Sequence, residues 1–163
     1  MANPAPNPAA TPAPPQLEFF ARVDVRVGAP VEIGETLDGM RRIIPIIGGT
    51  VEGPGIRGTV LEAGADFQLI RSESLTELEA KYAVETEEGD RIYISNFGIR
   101  SGDPADIARL IRGEEVDPSR IYFMSTPQLR SSSPRWRFLD ERLFIAQGRR
   151  FPDLVSLDVF MVS

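Results

Sequence analysis

Residues 48–66 read GGTVEGPGIRGTVLEAGAD, and within them Gly53, Gly55 and Gly58 have the spacing G-x-G-x-x-G. That spacing suits a dinucleotide-binding loop only where a strand leads into it and a helix follows, so that a pyrophosphate meets the helix N-terminus. Here Gly58 is followed by Thr59, Val60 and Leu61, which favour a strand, and no β-α-β rhythm surrounds the segment. Pro54 and Gly55 suit a turn, with Pro54 presetting φ and Gly55 free to take a positive one. The glycines are therefore expected to shape a sheet. Gly48 and Gly49 end one strand, Pro54 and Gly55 turn the chain, and Gly58 lies inside the next strand. A strand glycine marks either curvature or the close approach of a ligand. On the second alternative Gly49 and Gly58 are substrate-binding candidates.

Outward from this block almost everything has period two. In LEFFARVDVRV (17–27), Val23, Val25 and Val27 alternate with Arg22, Asp24 and Arg26, the pattern of a half-buried strand. RRIIPIIGG (41–49) is a β-branched run in which Pro45 marks an edge or a bulge. Further strands are expected at about 56–62, 65–71, 78–86, 90–99, 120–126, 142–149 and 154–162. One helix is expected in GDPADIARLIRGEE, with Asp103 as N-cap, Pro104 opening the first turn, an apolar stripe of Ile107, Leu110 and Ile111, and Gly113 closing it. SPRWRFLDE suits a short turn that packs Trp136. Eight or nine short strands joined by tight links, with one short helix, point to an all-β fold, an antiparallel up-and-down β-barrel. The uncharged Pro/Ala-rich stretch 1–16 reads as a disordered tail, and 17–163 as a single barrel domain.

Two hairpins can be put in register. With Glu87-Glu88-Gly89 as a three-residue loop, Val84 pairs with Ile92 and Tyr82 with Ile94, diagonal to Asn96. Leu78, Ala80, Tyr82 and Val84 then share a face with Ile92, Ile94, Asn96 and Gly98. An inward tyrosine beside an inward asparagine is either a core pair that satisfies its own polar groups or part of a ligand pocket. The same reading of Glu62-Ala63-Gly64 makes a hairpin that puts Asp66 and Gln68 on one face with Val60, although neither face is purely apolar. Of Arg41 and Arg42, adjacent on a strand, only one can look inward, where it would need an anion, a ligand carbonyl or a carboxylate such as Asp66. The alternative places both at a solvated strand end.

Composition narrows the chemistry further. The chain has 163 residues with no cysteine and no histidine, which excludes thiolate nucleophiles and His-based triads and metal sites. Acid–base work falls to Asp, Glu, Tyr or the single lysine, Lys81. A net charge of −6 argues against nucleic acid as a partner, and no apolar run is long enough to span a bilayer as a helix. With no signal peptide in the N-terminal stretch, the expected location is cytoplasmic. The late arginines Arg130, Arg135, Arg137, Arg142, Arg149 and Arg150 read as strand-end and surface charge, with a patch for an anionic ligand as the alternative.

Taken together, RRIIPIIGGTVEGPGIRGTVLEAGADFQLIR, KYAVETEEGDRIYISNFGIRSG, YFMSTPQL and LFIAQGRR resemble the family of domain of unknown function 3237, over about residues 17–163. Members of that family often carry Trp at the position of Phe67 and Phe at the position of Val51. The resemblance implies a small antiparallel β-barrel, often a homo-oligomer. In some members it also implies a hydratase that adds water to an α,β-unsaturated carbonyl compound without metal or organic cofactor. Ligand or catalytic roles would then fall on Tyr82, Asp66 and Arg41 or Arg42, with Gln68 and Asn96 binding a small-molecule substrate. A barrel that binds such a molecule without turning it over is the alternative.

Overall fold

A computed structural model describes residues 11–163. Nine strands form one antiparallel sheet: β1 (Leu17–Val27), β2 (Val31–Thr36), β3 (Gly39–Gly53), β4 (Ile56–Ser72), β5 (Leu75–Thr86), β6 (Arg91–Gly102), β7 (Ile121–Ser131), β8 (Phe144–Arg150) and β9 (Leu154–Val162). Sequential neighbours pair from β3 to β9, β9 pairs with β1, and β1 returns to β3. Eight strands therefore close an up-and-down barrel, and β2 adds a ninth at the edge of β3. The expected tail lies partly outside the described residues. Residues 11–16 carry no secondary structure, and Gln16 exchanges backbone hydrogen bonds of 2.9 and 3.0 Å with Ser163.

Two expectations about strands are corrected. Residues 56–62 and 65–71 are one continuous strand, and Glu62-Ala63-Gly64 is not a hairpin loop. Val60 pairs with Val84 and Gly64 with Tyr82, so Leu61, Glu62 and Ala63 together stand opposite Ala83 as a bulge. Gly64 takes φ 112° there, and a side chain at that position would run into the backbone carbonyl of Lys81. Since the bulge adds an even number of residues, the alternation on either side keeps its phase. Asp66 and Gln68 accordingly remain on the side of Val60. The second correction is β2, whose sequence VEIGET is mostly exposed and lacks the alternation of a core strand.

Pro45 does sit at an irregularity. Between Pro45 and Thr50 strand β3 leaves β4 and pairs with β1, with Ile46 opposite Val27 and Gly49 opposite Val25. This is where the barrel closes. Gly49, at φ 138°, lies where a Cβ would overlap the carbonyl of Asp24.

Both ends of the barrel are covered. At one end the expected helix, α1 (Pro104–Ile111), follows β6, with Asp103 accepting a hydrogen bond from the Ala105 amide. Its Ile107 and Leu110 pack with Val116, and buried Asp106 is held by Arg120 at 2.8 Å. At the other end the 3₁₀ segment Pro134–Glu141 drops Trp136 into the core, where the indole donates to Asp90 at 3.0 Å. The apolar core lies nearer this second end, around Val23, Val51, Ile56, Val84, Ile92 and Leu129.

The three glycines of the G-x-G-x-x-G segment thus have separate structural duties. Gly53 and Gly58 face backbone, and a Cβ would meet the carbonyls of Phe20 and Glu85 respectively. Gly55 has open space around it and, contrary to expectation, does not take a positive φ. Gly58→Ala should therefore destabilise the protein by about 1–3 kcal/mol through overpacking, whereas Gly55→Ala should stay within about 0.5 kcal/mol of the parent. Urea unfolding of both variants tests this, and equal midpoints would contradict it.

Candidate functional site

Register along β5 and β6 carries the lumen from apolar to polar. Tyr82 pairs with Ile94, Ala80 with Asn96, Leu78 with Gly98 and Thr76 with Arg100, each step moving towards the end covered by α1. On the neighbouring strand Asp66 lies beside Ala80 and Gln68 beside Leu78. The expected register of this hairpin is therefore the one observed. All of these positions except Ile94 and Thr76 line a cavity of about 40 Å³ together with Ser125, Arg150 and apolar side chains of β1, β3 and β9. That is room for a few water molecules or a small organic group. Two of the lining positions are small, Ala80 and Gly98, and a Cβ on Gly98 would crowd Ser125 and the Met124 carbonyl. Tyr82 also lines a smaller, almost wholly apolar void of about 20 Å³ beyond it, so its ring divides the polar half of the lumen from the oily half.

Arg42 is the inward member of the arginine pair, and it is 2% exposed. Arg41 points outward and pairs with Asp38 at 3.2 Å, so it has no place in the lumen. Arg42 stands behind the cavity wall. Its Nε donates to Gln68 Oε1 at 2.9 Å and its Nη1 donates to the Ile111 carbonyl at 3.0 Å. That carbonyl ends α1, where the helix dipole favours a cation. Glu32, on the exposed edge strand β2, approaches the same Nη1 at 3.8 Å. Because a guanidinium can only donate, the Gln68 amide oxygen must face Arg42 and its nitrogen must face the other way. Gln68 Nε2 duly donates to Asp66 Oδ2 at 2.8 Å. Arg42, Gln68 and Asp66 form a chain that fixes one oxygen of the carboxylate.

The remaining polar atoms are differently placed. Asp66 Oδ1, Asn96 Oδ1, Ser125 Oγ, Arg100 Nε and Nη2, and Arg150 Nη1 are buried and find no partner among the described residues. All five residues line the cavity. Burial raises the Asp66 carboxyl above the usual carboxylate range, against the Gln68 hydrogen bond and the attraction of Arg100, Arg150 and Arg42. The Tyr82 phenol is pushed up by burial and by the charge of Asp66, so at neutral pH it keeps its proton. Arg100 is lowered to about 10 by burial; Asp66 opposes the shift, and the other two arginines add to it. It remains a cation at neutral pH.

Of the residues singled out in the sequence, Tyr82, Asp66, Gln68 and Asn96 meet in one cavity, and Arg42 supports it from behind. Gly49 and Gly58 pack against neighbouring backbone outside the cavity lining. Sequence reasoning missed Ser125 and Arg100, and it placed Arg150 on the surface, whereas Arg150 is buried and lines the lumen. The signal for two of these was present. Ile92, Ile94, Asn96 and Gly98 extend by the same period to Arg100, and Phe144, Ala146 and Gly148 extend to Arg150. Of the two positions where family members often differ, Phe67 is 45% exposed on the outer face, and only Val51 borders the lumen.

The protein resembles several others along almost its whole length. A UPF0311 protein of Rhodopseudomonas palustris is 45% identical over 147 residues, spanning 90% of this chain and 96% of the relative. A UPF0311 protein of Bradyrhizobium diazoefficiens is 47% identical over 145 residues, 89% and 95% of the two chains. The crystal structure of a conserved protein of unknown function from R. palustris superposes with a TM-score of 0.88 at 42% identity, covering 94% of this chain and all of that one. A beta-barrel like protein from Acinetobacter baumannii gives 0.82 at 36% identity, over 94% and 99% of the two chains. An enzyme from Penicillium herquei shares the fold alone, with a TM-score of 0.70 at 15% identity over 95% and 99% of the chains. The family model described as protein of unknown function (DUF3237) matches residues 15–162, and the chain belongs to that family.

Proposed function

We propose that the protein is a cofactor-independent hydratase that adds water across the C=C bond of a small α,β-unsaturated carbonyl compound inside the barrel. The observation that carries this is the convergence of an acceptor, an acid and cationic donors on one small cavity. Asp66 Oδ1 is an unpartnered acceptor with its companion oxygen fixed by Gln68. Tyr82 is a phenol kept neutral by burial, and Arg100 and Arg150 hold unpartnered donors.

Each group has a task in conjugate hydration. Asp66 Oδ1 takes a proton from the attacking water as its oxygen bonds to the β-carbon. The π electrons move to the carbonyl oxygen, giving an enolate that a guanidinium of Arg100 or Arg150 stabilises; a donor of this kind contributes about 3–4 kcal/mol in a water-excluded site. Tyr82 delivers a proton to the α-carbon and recovers one from Asp66, so the site ends as it began. Asn96 and Ser125 orient the carbonyl or the water. Arg42 is a positioning residue, since it touches only Gln68 and the end of α1 among these groups. The substrate class and the reaction come from the family resemblance, and the cavity's donor and acceptor set supports them.

Two measurements test the proposal. With cyclic enones and 2-butenolides as substrates, Tyr82→Phe and Asp66→Asn should each lower kcat by about 10²–10⁴-fold while folding is retained. Activity in either folded variant equal to the parent's would refute its assigned role. Because Asp66 must be ionised to accept a proton and burial raises its pKa, the parent's kcat should climb with pH on a limb lying above the ordinary carboxylate value of about 4, and that limb should vanish in Asp66→Asn. Separately, Ala80→Leu should abolish turnover and ligand-induced thermal stabilisation by filling the cavity. A protein that binds these compounds without hydrating them is a carrier.

A further inference from the structure

We infer that the substrate of this lumen is an anion bearing its own carboxylate across the conjugated double bond from the carbonyl, as in a small 4-oxo-2-enoate, and that Arg100 takes that carboxylate. The inference deepens the hydratase reading and rests on it for the reactive double bond, but the anion site stands on its own observations.

Charge comes first. Arg42, Arg100 and Arg150 are buried with Asp66 as the single carboxylate among them. Asp66 attracts all three and so cannot neutralise them. Arg42 has Glu32 and the end of α1, and Asp153 acts on Arg150 from the rim. Arg100, 1% exposed, has no such relief: Asp66 is the one charge that favours its cation, and both other arginines oppose it. A buried cation left in this state is costly, and an anionic ligand offsets that cost.

Geometry then selects the anion. The unpartnered nitrogens of Arg100 are Nε and Nη2, which share one edge of the guanidinium. On the outer surface of the same barrel, Arg22 uses that edge to hold Asp158, with Nε to Oδ1 at 2.7 Å and Nη2 to Oδ2 at 3.0 Å. Such parallel paired bonds match the two oxygens of a carboxylate. A lone ketone or lactone carbonyl would occupy the edge with one oxygen and bring no charge. Arg150 Nη1 remains as a donor for the carbonyl oxygen. One arginine thus meets the charge the substrate brings, and the other meets the charge that develops as water adds. The unliganded cavity of about 40 Å³ admits a short chain only as its lining side chains yield.

Binding of 4-oxopentanoate, which cannot be hydrated, compared with 4-oxopentanamide, isolates the anion site from the chemistry. Calorimetry should show the acid binding at least about tenfold tighter than the isosteric amide. Arg100→Met should erase that preference without lowering the melting temperature of the unliganded protein, because it removes a buried, unpaired charge. Should Arg100→Met not fold, Arg150→Met should retain a preference for the acid, and the comparison on the parent protein needs no variant. Equal affinity for acid and amide, binding of neither, an acid preference that survives Arg100→Met, or inorganic phosphate binding as well as 4-oxopentanoate would each overturn the inference. If the acid is preferred but 4-oxo-2-pentenoate is bound and not hydrated, the anion site stands and the hydratase reading fails.

Discussion

Strand β3 has to serve two neighbours along one edge. That edge passes from β2, paired as far as Ile43, to β1, paired from Ile46, while the other edge holds β4 up to Pro45 and again from Thr50, so β3 and β4 part between those residues where the barrel closes. Residues 61–63 of β4, two more than the single Ala83 they oppose, fill the same stretch as a bulge against β5. Glycine is required on both sides of the gap, Gly49 against the Asp24 carbonyl and Gly64 against that of Lys81, each at a positive φ. Every inward-facing position depends on this closure, because it decides which side chains the curved sheet brings face to face. An odd bulge in β4 would have turned Asp66 and Gln68 outward and left the Arg42 Nε without its Gln68 partner.

Once the barrel is closed, its two halves obey different physics. The half sealed by Trp136 is filled with Val, Ile and Leu, and its stability comes from burying apolar surface. The half beneath α1 concentrates cations that burial disfavours, and two of its lining residues, those at 80 and 98, are small. A core built only for stability would place larger apolar side chains there, since well-packed hydrophobic residues often match or exceed a buried ion pair. On the proposed reading, Arg100 and Arg150 in so small a barrel set ligand recognition against folding stability.

Much of this was legible in the sequence because period two is a strong signal wherever one face of a strand is buried. The β5–β6 hairpin could be registered to the residue, since its loop chemistry and its apolar alternation agree. Asp66 and Gln68 were assigned to the correct face for a partly wrong reason. The proposed hairpin at 62–64 and the observed bulge both preserve the phase, and local pattern cannot distinguish a chain that reverses at Gly64 from one that runs straight on. The edge strand β2 carries no core pattern to read. Arg100 and Arg150 were passed over because arginine at a strand end usually reaches solvent, and nothing local in their segments tells that α1 and the rim cover them.

What the sequence could not supply was the division of labour among the cations. Arg41 and Arg42 look equivalent on paper, and Arg42 does turn inward, yet its donors are already committed to Gln68 and the Ile111 carbonyl. Its effect reaches the cavity only through the orientation of the Gln68 amide and thence Asp66 Oδ2. The cations with donors free to meet a ligand, Arg100 and Arg150, lie on β6 and β8, on strands preceding and following α1. An electrophile held by Arg100 and Arg150 would therefore have Asp66 approaching from β4 and the Tyr82 phenol from β5. On the proposed reading, a planar conjugated system in that position would be held at its oxygens from β6 and β8 and would exchange protons with β4 and β5, an arrangement that needs both a closed sheet and a lumen left partly unfilled.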